Sequence, residues 1–298
     1  MIVITTPTGD IGSQVLSLLL DSAPTHGEEL RVVARDPARL PGRVRDLVDV
    51  VPGSHGDADV VERAFAGADA VFWLPPPAPQ APSLDDVYAG FSRAAATALP
   101  GSDVTHVVGV SALGRGTPVA DRAGLVTASL AMDELLGDTG VAYRALANPS
   151  FMDNLLRQVT SIRDDGVFTD TVETHRSAPV VATRDIAARA VDLLLDRSWT
   201  GVEEVPVLGP EDLSQEDLAR TMSEALGRPV SYRRRSLDDL AASLGGYGMG
   251  EAFVQGMVDM MRAKDAGLDA GVRRTPESSS RTTFRQWCED VLRPAVQG

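Results

Sequence analysis

The stretch MIVITTPTGDIGSQV, residues 1–15, decides the fold. Its apolar β-branched run at 2–4 is typical of a buried strand in a parallel sheet. Gly9 and Gly12 then mark a tight turn, and the apolar residues around and after it have the spacing of a helix packed on one face: Ile11, Val15, Leu16, Leu19 and Leu20. A strand, a glycine turn and a helix N-terminus present unpaired backbone N–H groups and a positive helix end at one spot. We expect a diphosphate to bind there.

The glycine spacing alone does not distinguish a nucleotide site from an ordinary strand-to-helix turn. The complete dinucleotide-binding fingerprint has a further glycine where this chain has Thr6. Both interpretations of the turn therefore stay open on these residues alone. The position of the turn at the first strand, and the segments that follow, favour the nucleotide site.

The composition is that of a globular protein without metal or disulfide chemistry. The chain has 298 residues, a net charge of −14 and 43% hydrophobic residues, which is enough for a large core. The negative charge repels nucleic-acid phosphates, so we expect no nucleic-acid partner. Cys288 is the only cysteine and excludes an intrachain disulfide. The four histidines lack metal-ligand spacing, so we expect no metal site.

No targeting segment is evident in the sequence. Its start lacks the basic and apolar regions of a secretory signal, and its apolar runs are too short to cross a bilayer. We therefore expect a cytoplasmic protein with no membrane partner. The sequence leaves its oligomeric state open between a monomer and a homodimer.

Strands and helices alternate along the first 150 residues, which predicts a Rossmann-type α/β fold with a doubly wound parallel sheet. The fifth strand is expected at 104–110, immediately before Ser111. We expect residues 1–150 to form a nucleotide-binding domain, to which segments at about 180–210 return. Residues 151–298 are expected to form a small, mostly helical lobe that binds the substrate.

The carboxyl ends of the parallel strands should meet along one edge of the sheet, because the crossovers are right-handed. That edge would collect the first turn, Arg35, the segment Leu74–Pro76 and Ser111. A ribose 2′-hydroxyl is usually held by a carboxylate at the end of the second strand, whereas a 2′-phosphate needs a cation. Ala34 and Arg35 stand there, so we expect NADPH to be preferred over NADH. The alternative is that Arg35 and Arg39 form a solvated face with Asp36.

Segments along nearly the whole chain resemble the NmrA-like family of atypical short-chain dehydrogenase/reductases. They are, in order, TPTGDIGSQV, Arg35 with Asp36 and Pro37, AGADAVFWL, HVVGVSALG, GVAYRALANPSFMDN, TRDIAARAV, VLGPEDLSQEDLARTMSEALGRPVSY and TTFRQW. The resemblance implies a Rossmann domain that binds NADP(H) and a small C-terminal lobe. It also implies either reduction of small electron-poor molecules or a dinucleotide-sensing role without catalysis.

The resemblance carries over to particular residues of this chain. It implies that the cofactor-binding residues are Thr6, Thr8, Gly9, Asp10, Ile11 and Gly12 at the phosphate turn, Arg35 at the 2′-phosphate, Leu74 and Pro75 at a strand end, and Ser111, Asn148 and Pro149 near the nicotinamide. The chain departs from the family at Thr6, at Ser54, where an acidic residue is frequent, and at Ala147, where an arginine is frequent.

The tyrosine and lysine that many short-chain dehydrogenases use as a proton donor are absent as a pair. Four residues after the four tyrosines stand Ser92, Ala147, Ser236 and Glu251, and the only lysine is Lys264. Reduction of a simple ketone needs a proton at the oxygen as the hydride arrives. Quinones, conjugated enones and iminium ions need less help, because they delocalise or neutralise the charge themselves. We therefore expect an NADPH-dependent reductase of a small electron-poor molecule of this kind.

The expected substrate pocket is lined by Phe151, Met152 and Asn154. Ser111 is a weak candidate for a catalytic hydrogen-bond donor, since a serine at a strand end is more often a turn or cap residue. Phe151 and Met152 are also typical core residues. Two other functions remain open: an NADP(H)-sensing regulatory protein without catalysis, and a cyclase or isomerase that keeps the fold without redox chemistry.

Overall fold

Seven strands form the main sheet of the protein. They are β1 (Ile2–Ile4), β2 (Leu30–Ala34), β3 (Asp49–Pro52), β4 (Ala70–Trp73), β5 (His106–Ala112), β6 (Ala142–Asn148) and β10 (Val202–Pro206). The computed structural model describes residues 1–298, apart from the side chains of residues 23–25. The strand order is β10-β6-β5-β4-β1-β2-β3, and β1 pairs in parallel with both β2 and β4. This order is that of a doubly wound Rossmann sheet, so the predicted fold class is confirmed.

The helices are interspersed with the strands along the chain. They are α1 (Asp10–His26), α2 (Gly42–Arg45), α3 (Ala58–Phe65), α4 (Leu84–Val87), α5 (Ala89–Ala98), α6 (Leu125–Gly137), α7 (Val159–Asp164), α8 (Thr183–Leu195), α9 (Gln215–Leu226), α10 (Leu237–Gly246), α11 (Glu251–Asp265), α12 (Phe284–Trp287) and α13 (Arg293–Gln297). Within the part of the chain that the structure describes, no helix has the length and apolar character to cross a membrane.

The chain divides into two compact units, each with its own core. The first unit comprises residues 1–111, 128–147 and 186–205, and the second comprises residues 112–127, 148–185 and 206–298. In the first unit, apolar residues of the sheet and of α3, α5 and α6 pack together, including Val71, Phe65 and Leu136. The alternation of strand and helix explains this core, because each helix covers an apolar face of the sheet.

The second unit combines short strands with helices. It contains β7 (Ser150–Phe151), β8 (Val167–Asp170), β9 (Ala178–Val181), β11 (Asp212–Leu213) and β12 (Ser231–Arg234). The strands form a three-stranded sheet, β11-β9-β7, and a parallel pair of β12 and β8. Its core includes Phe168 and Met222, together with the stacked rings of Phe284 and Trp287.

The fifth strand differs from the expected 104–110. It begins at His106 and continues to Ala112, so Ser111 lies inside the strand rather than after it. The strand pairs in parallel with β4 from His106 to Gly109. Gly109 and Ser111 are two residues apart, so they project on the same face of the sheet. The prediction of the strand end was wrong because a serine was taken as a turn residue, whereas its hydroxyl has a buried partner.

The contact between β1 and α1 leaves no room for a side chain at Gly12. A Cβ built on Gly12 would lie 2.1 Å from the carbonyl oxygen of Thr6, which is backbone and cannot swing away. At Gly9 the same atom would lie 3.5 Å from that oxygen, an ordinary contact. Gly12 therefore fixes how closely the helix begins beside the strand.

We expect Gly12→Ala to destabilise the protein far more than Gly9→Ala. The Gly12 variant must move backbone, at a cost of about 2 kcal/mol or more in the free energy of unfolding. The Gly9 variant should stay within about 1 kcal/mol of the wild type. Urea denaturation of the three proteins measures both changes, and equal losses in the two variants would contradict this packing.

Candidate functional site

The turn after β1 holds a threonine in the left-handed backbone conformation, at the position where the dinucleotide fingerprint has a glycine. Thr6 has a φ of +47°, and it is the only residue other than glycine with a positive φ among the described residues. Its carbonyl oxygen accepts the N–H of Gly9 at 3.0 Å, which closes the turn. A β-branched residue rarely takes this conformation, and such strain clusters at ligand sites.

The first turn of α1 meets the requirements of an anion cradle. The helix begins at Asp10, and the N–H of Ser13 is the first to bond back, to the oxygen of Gly9 at 2.9 Å. The N–H groups of Asp10, Ile11 and Gly12 therefore precede the intrahelical ladder. Thr8 and Asp10 are exposed, while Ile11 is buried and anchors the helix. This arrangement fits a dinucleotide diphosphate.

The end of β4 is tied to the same turn. Thr5, fully buried, donates its hydroxyl to the oxygen of Phe72 at 3.0 Å and accepts the N–H of Leu74 at 2.9 Å. Leu74 is half-buried and Pro75 is buried. Because the sheet order reverses between β1 and β4, this is the topological switch point at which doubly wound folds bind ligands.

Arg35 stands at the carboxyl end of β2 with an exposed side chain. The Asp36 carboxylate accepts the N–H of Ala38 at 3.1 Å and caps the short turn that follows. The ion pairs between described residues do not include one between Arg35 and Asp36. Arg35, Asp36 and Arg39 are all exposed, so the structure is compatible both with a solvated face and with a guanidinium that meets an anionic ligand.

A buried histidine lies at the strand end at Leu74, within range of the positive charge of Arg35. His55 donates from Nε2 to the carbonyl oxygen of Leu74 at 3.0 Å, and its ring meets Trp73 and Phe91 edge-on, with ring centroids 5.1 and 4.8 Å away. Burial lowers the pKa of His55 to about 4; the hydrogen bond to Leu74 opposes this shift, and the positive charge of Arg35 adds to it. The imidazole is therefore neutral at physiological pH.

Ser111 belongs to a buried polar network rather than to a turn. Its hydroxyl donates to Asp133 Oδ2, and Ser129 Oγ lies 3.3 Å from Ser111 Oγ. Tyr143 donates to the other oxygen of Asp133 at 2.7 Å. Asp133 is only 4% exposed, so its carboxylate depends on these donors in place of water. In this arrangement, donation from Ser111 to a substrate oxygen would require its bond to Asp133 to break.

The sheet is shaped to admit this network. A Cβ on Gly109 would lie 2.2 Å from the phenolic oxygen of Tyr143, so the glycine opens the space through which the tyrosine reaches Asp133. A buried carboxylate is costly unless it is well hydrogen-bonded. The sequence analysis missed this network. The signal that could have revealed it is the pair Ser129 and Asp133, two polar residues four positions apart on one face of the apolar helix α6.

The remaining predicted residues lie in the second unit. Asn148 and Pro149 are buried, and the oxygen of Asn148 accepts the N–H of Leu113 at 3.0 Å. Phe151 is half-buried and Asn154 is exposed. Met152 is 2% exposed and packs in the core of the second unit, so its side chain serves there as a core residue.

The only lysine and the strand histidine His106 have hydrogen-bond partners outside the predicted cofactor site. The ammonium of Lys264 donates to Asp269 at 2.6 Å within the second unit. His106 lies against Trp199, with its Nε2 3.0 Å from the carbonyl oxygen of that residue. Among the described residues, no three histidine, cysteine, aspartate or glutamate side chains are grouped as metal ligands.

Comparison with known proteins agrees with this geometry. The sequence profile of a family described as NAD(P)H-binding matches residues 7–197, which is more than half of the chain. The chain belongs to this NAD(P)H-binding family. The resemblance to the NmrA-like, atypical short-chain dehydrogenase/reductases and the expectation of a nicotinamide cofactor are thereby confirmed.

Two curated relatives of this NAD(P)H-binding protein match nearly its whole length. The (4-alkanoyl-5-oxo-2,5-dihydrofuran-3-yl)methyl phosphate reductase of Streptomyces griseus subsp. griseus is 30% identical over 292 residues, covering 96% of both chains. The NAD(P)H azoreductase of Xenophilus azovorans is 28% identical and covers 92% of this chain and 91% of its own. At the level of class, the expectation of an NAD(P)H-dependent oxidoreductase is confirmed.

A solved structure shares the fold of this NAD(P)H-binding protein. The NADPH-dependent quinone oxidoreductase QOR2 of Escherichia coli, crystallised with NADPH, superposes with a TM-score of 0.75 at 20% identity. The match covers 97% of this chain and 98% of that one.

The network around Asp133 should behave as one coupled unit. Tyr143→Phe leaves the buried carboxylate with one donor fewer and should cost about 1–3 kcal/mol in unfolding free energy. When Tyr143→Phe is made in the Asp133→Asn background, the loss of unfolding free energy should be smaller, because no carboxylate is left without its donor. A double-mutant cycle by urea denaturation should give a coupling of at least about 1 kcal/mol. Tyr247→Phe, at a residue that is 79% exposed, is the control and should change stability by under about 0.5 kcal/mol. Strict additivity would contradict the coupling.

His55 should make the protein sensitive to mild acid. Its pKa falls from 6.5 in the unfolded chain to about 4 in the folded one, so the unfolded state binds more protons between those values. Stability should therefore rise with pH from about 4 to 6.5, by about 3 kcal/mol from this residue. His55→Gln keeps a donor for Leu74 but does not titrate. The stability difference between wild type and variant, measured by urea denaturation at pH 4.5 and 7.5, should shrink or reverse at the lower pH; a constant difference would refute the assignment.

Proposed function

We propose that this protein is an NADPH-dependent reductase of small, conjugated, electron-poor molecules. The observation that carries the proposal is the unpaired guanidinium of Arg35 beside the strained glycine turn, in a chain of the NAD(P)H-binding family. A cation at the end of the second strand is complementary to a ribose 2′-phosphate. The neighbouring His55 is neutral and adds no second charge.

The turn and the strand ends of the first unit are the proposed cofactor contacts. The N–H groups of Asp10, Ile11 and Gly12, with Thr6, Thr8 and Gly9 shaping the turn, would hold the diphosphate, and Arg35 would hold the 2′-phosphate. Leu74 and Pro75 would lie beside the cofactor at the switch point, and Ser111 would border the nicotinamide. When bound, the nicotinamide supplies a hydride to the acceptor.

The acceptor class follows from the residues that could supply a proton. Reduction adds a hydride and a proton, and this chain has no lysine four residues after any tyrosine. The hydroxyl of Ser111 is donated to Asp133. A conjugated acceptor spreads the incoming charge over several atoms and can take its proton from water afterwards, so it needs orientation and a dry pocket more than an acid.

The names of the relatives support this class of acceptor. A 4-alkanoyl-5-oxo-2,5-dihydrofuran contains a carbon–carbon double bond conjugated to carbonyl groups, and an azo compound contains an electron-poor nitrogen–nitrogen double bond. A quinone, named for the structural relative, is a conjugated dione. We assign cofactor binding to the first unit and substrate selection to the second, where Phe151 and Asn154 are the proposed contacts.

The cofactor preference can be tested by reversing one charge. Arg35→Glu should lower kcat/KM for NADPH by about 100-fold, the loss expected for a charged hydrogen-bonded pair, and should leave NADH within a few-fold. Arg43→Glu makes the same charge change at an exposed residue on α2 and should leave both cofactors unchanged. Equal losses with both cofactors would overturn the role of Arg35.

The assay for these constants is nicotinamide oxidation with a small quinone, an azo dye and a conjugated enone as acceptors. Turnover with any of them supports a reductase. Tight NADPH binding by calorimetry without turnover would instead support a sensing role. Absence of NADPH binding would contradict both the reductase and the sensing role.

A further inference from the structure

The end of β4 is poor in backbone hydrogen-bond donors. The strand ends at Trp73, and Leu74 is followed by three consecutive prolines, at 75–77. Proline has no N–H, so the segment offers no further backbone donor before Ala78. The N–H of Leu74 is therefore the last backbone donor by which the end of this strand can be held.

Two side chains from different parts of the chain hold the backbone of Leu74. The hydroxyl of Thr5, after β1, accepts its N–H at 2.9 Å. His55, in the loop after β3, donates from Nε2 to its carbonyl oxygen at 3.0 Å. The hydroxyl of Thr6 lies 3.5 Å from the same carbonyl oxygen. The Leu74 carbonyl thus connects the histidine to the strained turn after β1.

The ring of His55 is held in one orientation by its neighbours. It is 6% exposed and meets the rings of Trp73 and Phe91 edge-on. Trp73 is itself fixed, because its Nε1 donates to Ser92 Oγ at 2.9 Å. A Cβ at Gly56 would lie 2.8 Å from the ring of Phe91, so a glycine is needed for the ring to reach this position. The neutral imidazole has one N–H, and the carbonyl acceptor requires it on Nε2.

We propose that His55 is a positioning residue for the nicotinamide dinucleotide, and that it acts through the Leu74 carbonyl rather than by touching the ligand. It fixes the end of β4 beside the turn after β1, at the switch point of the sheet. Binding sites depend on such support, because small displacements of the contact residues weaken binding. All the residues involved belong to the first unit.

This inference rests on the proposed function, because it assigns a role at the same cofactor site. It differs from the role of Arg35 in the selectivity that it predicts. The histidine is neutral and carries no charge for a 2′-phosphate to meet. The loss of His55 should therefore weaken NADPH and NADH equally, whereas the loss of Arg35 should weaken NADPH alone.

The test removes the donor at residue 55 and then restores it. His55→Leu fills the space without an N–H, and its calorimetric dissociation constants for NADPH and for NADH should each rise about 5-fold or more, the loss expected for one hydrogen bond. The kcat with a small quinone at saturating NADPH should stay within about twofold of wild type, because the hydride and the acceptor are unchanged. His55→Gln restores a donor and should recover most of the lost affinity.

His106→Leu is the matched control. His106 Nε2 also lies 3.0 Å from a backbone carbonyl oxygen, that of Trp199, and the two rings meet edge-on with centroids 4.5 Å apart. His106 begins β5, which runs parallel to β4, so it lies at the opposite edge of the sheet from Leu74. This variant should leave both dissociation constants within about twofold of wild type. Circular dichroism verifies that each variant is folded.

Hydrogen exchange of the Leu74 amide measures the same support without any cofactor. This amide should exchange at least about 5-fold faster in His55→Leu than in wild type, and at close to the wild-type rate in His55→Gln and in His106→Leu. The amide of Val71, in the middle of β4 and fully buried, is the internal reference and should keep its rate.

The wild type alone also tests the inference, which covers the case that His55→Leu does not fold. In ¹⁵N NMR spectra, the neutral ring of His55 should carry its proton on Nε2, and saturation with NADP⁺ should shift this signal. The signal of His106 should stay in place. An unshifted His55 signal would count against the inference.

The outcomes separate this inference from the proposed function. A wild type that binds neither cofactor would contradict both. A wild type that binds NADPH while His55→Leu binds it equally well would overturn the inference alone. Equal weakening by His106→Leu, loss of NADPH without loss of NADH, or no recovery in His55→Gln would overturn it as well.

Discussion

The close approach of Gly12 to the carbonyl oxygen of Thr6 is the constraint on which the rest of the first unit depends. It lets α1 start immediately beside β1, so the helix N-terminus lies at the edge of the sheet where β1 and β4 end. The Thr5 side chain ties the end of β1 to β4, because its hydroxyl donates to the carbonyl of Phe72 and accepts the N–H of Leu74. The turn is consequently held on both sides, and this over-determination lets Thr6 persist in a left-handed conformation.

The first unit also shows how a buried carboxylate is accommodated in an apolar sheet. Asp133 accepts hydrogen bonds from Ser111 and Tyr143. The absence of a side chain at Gly109 leaves the space that the phenol of Tyr143 occupies. Ser111 and Tyr143 come from β5 and β6, while Asp133 comes from α6. The network therefore links two strands to the helix between them in sequence, and it specifies their register as well as their contact.

Arginine fulfils structural roles in this protein that lysine could not. Arg31 donates to the carbonyl oxygens of Ala64 and Ala66 at 2.9 and 2.7 Å, at the end of α3. Arg144 donates to the carbonyls of Thr200 and Gly201, both at 3.1 Å, while its guanidinium lies over the ring of Trp199. Several donors in a rigid plane satisfy neighbouring carbonyls at once, which a single ammonium does with less directional control.

The sequence by itself determined the class of fold, and it predicted where a nicotinamide cofactor would bind. The β-branched run, the glycines and the helical spacing of 1–20 are local signals, and the alternation of strands and helices allows few topologies. Tertiary structure alone decided what Ser111 contacts, that Met152 lies in a core, and that His55 is buried and neutral. The hydrogen-bond partners lie 19 residues away for His55 and 22 for Ser111, and the core around Met152 includes residues from the last helices of the chain. Sequence periodicity reports which face of an element is apolar, but it carries no information on which polar side chain that face will meet.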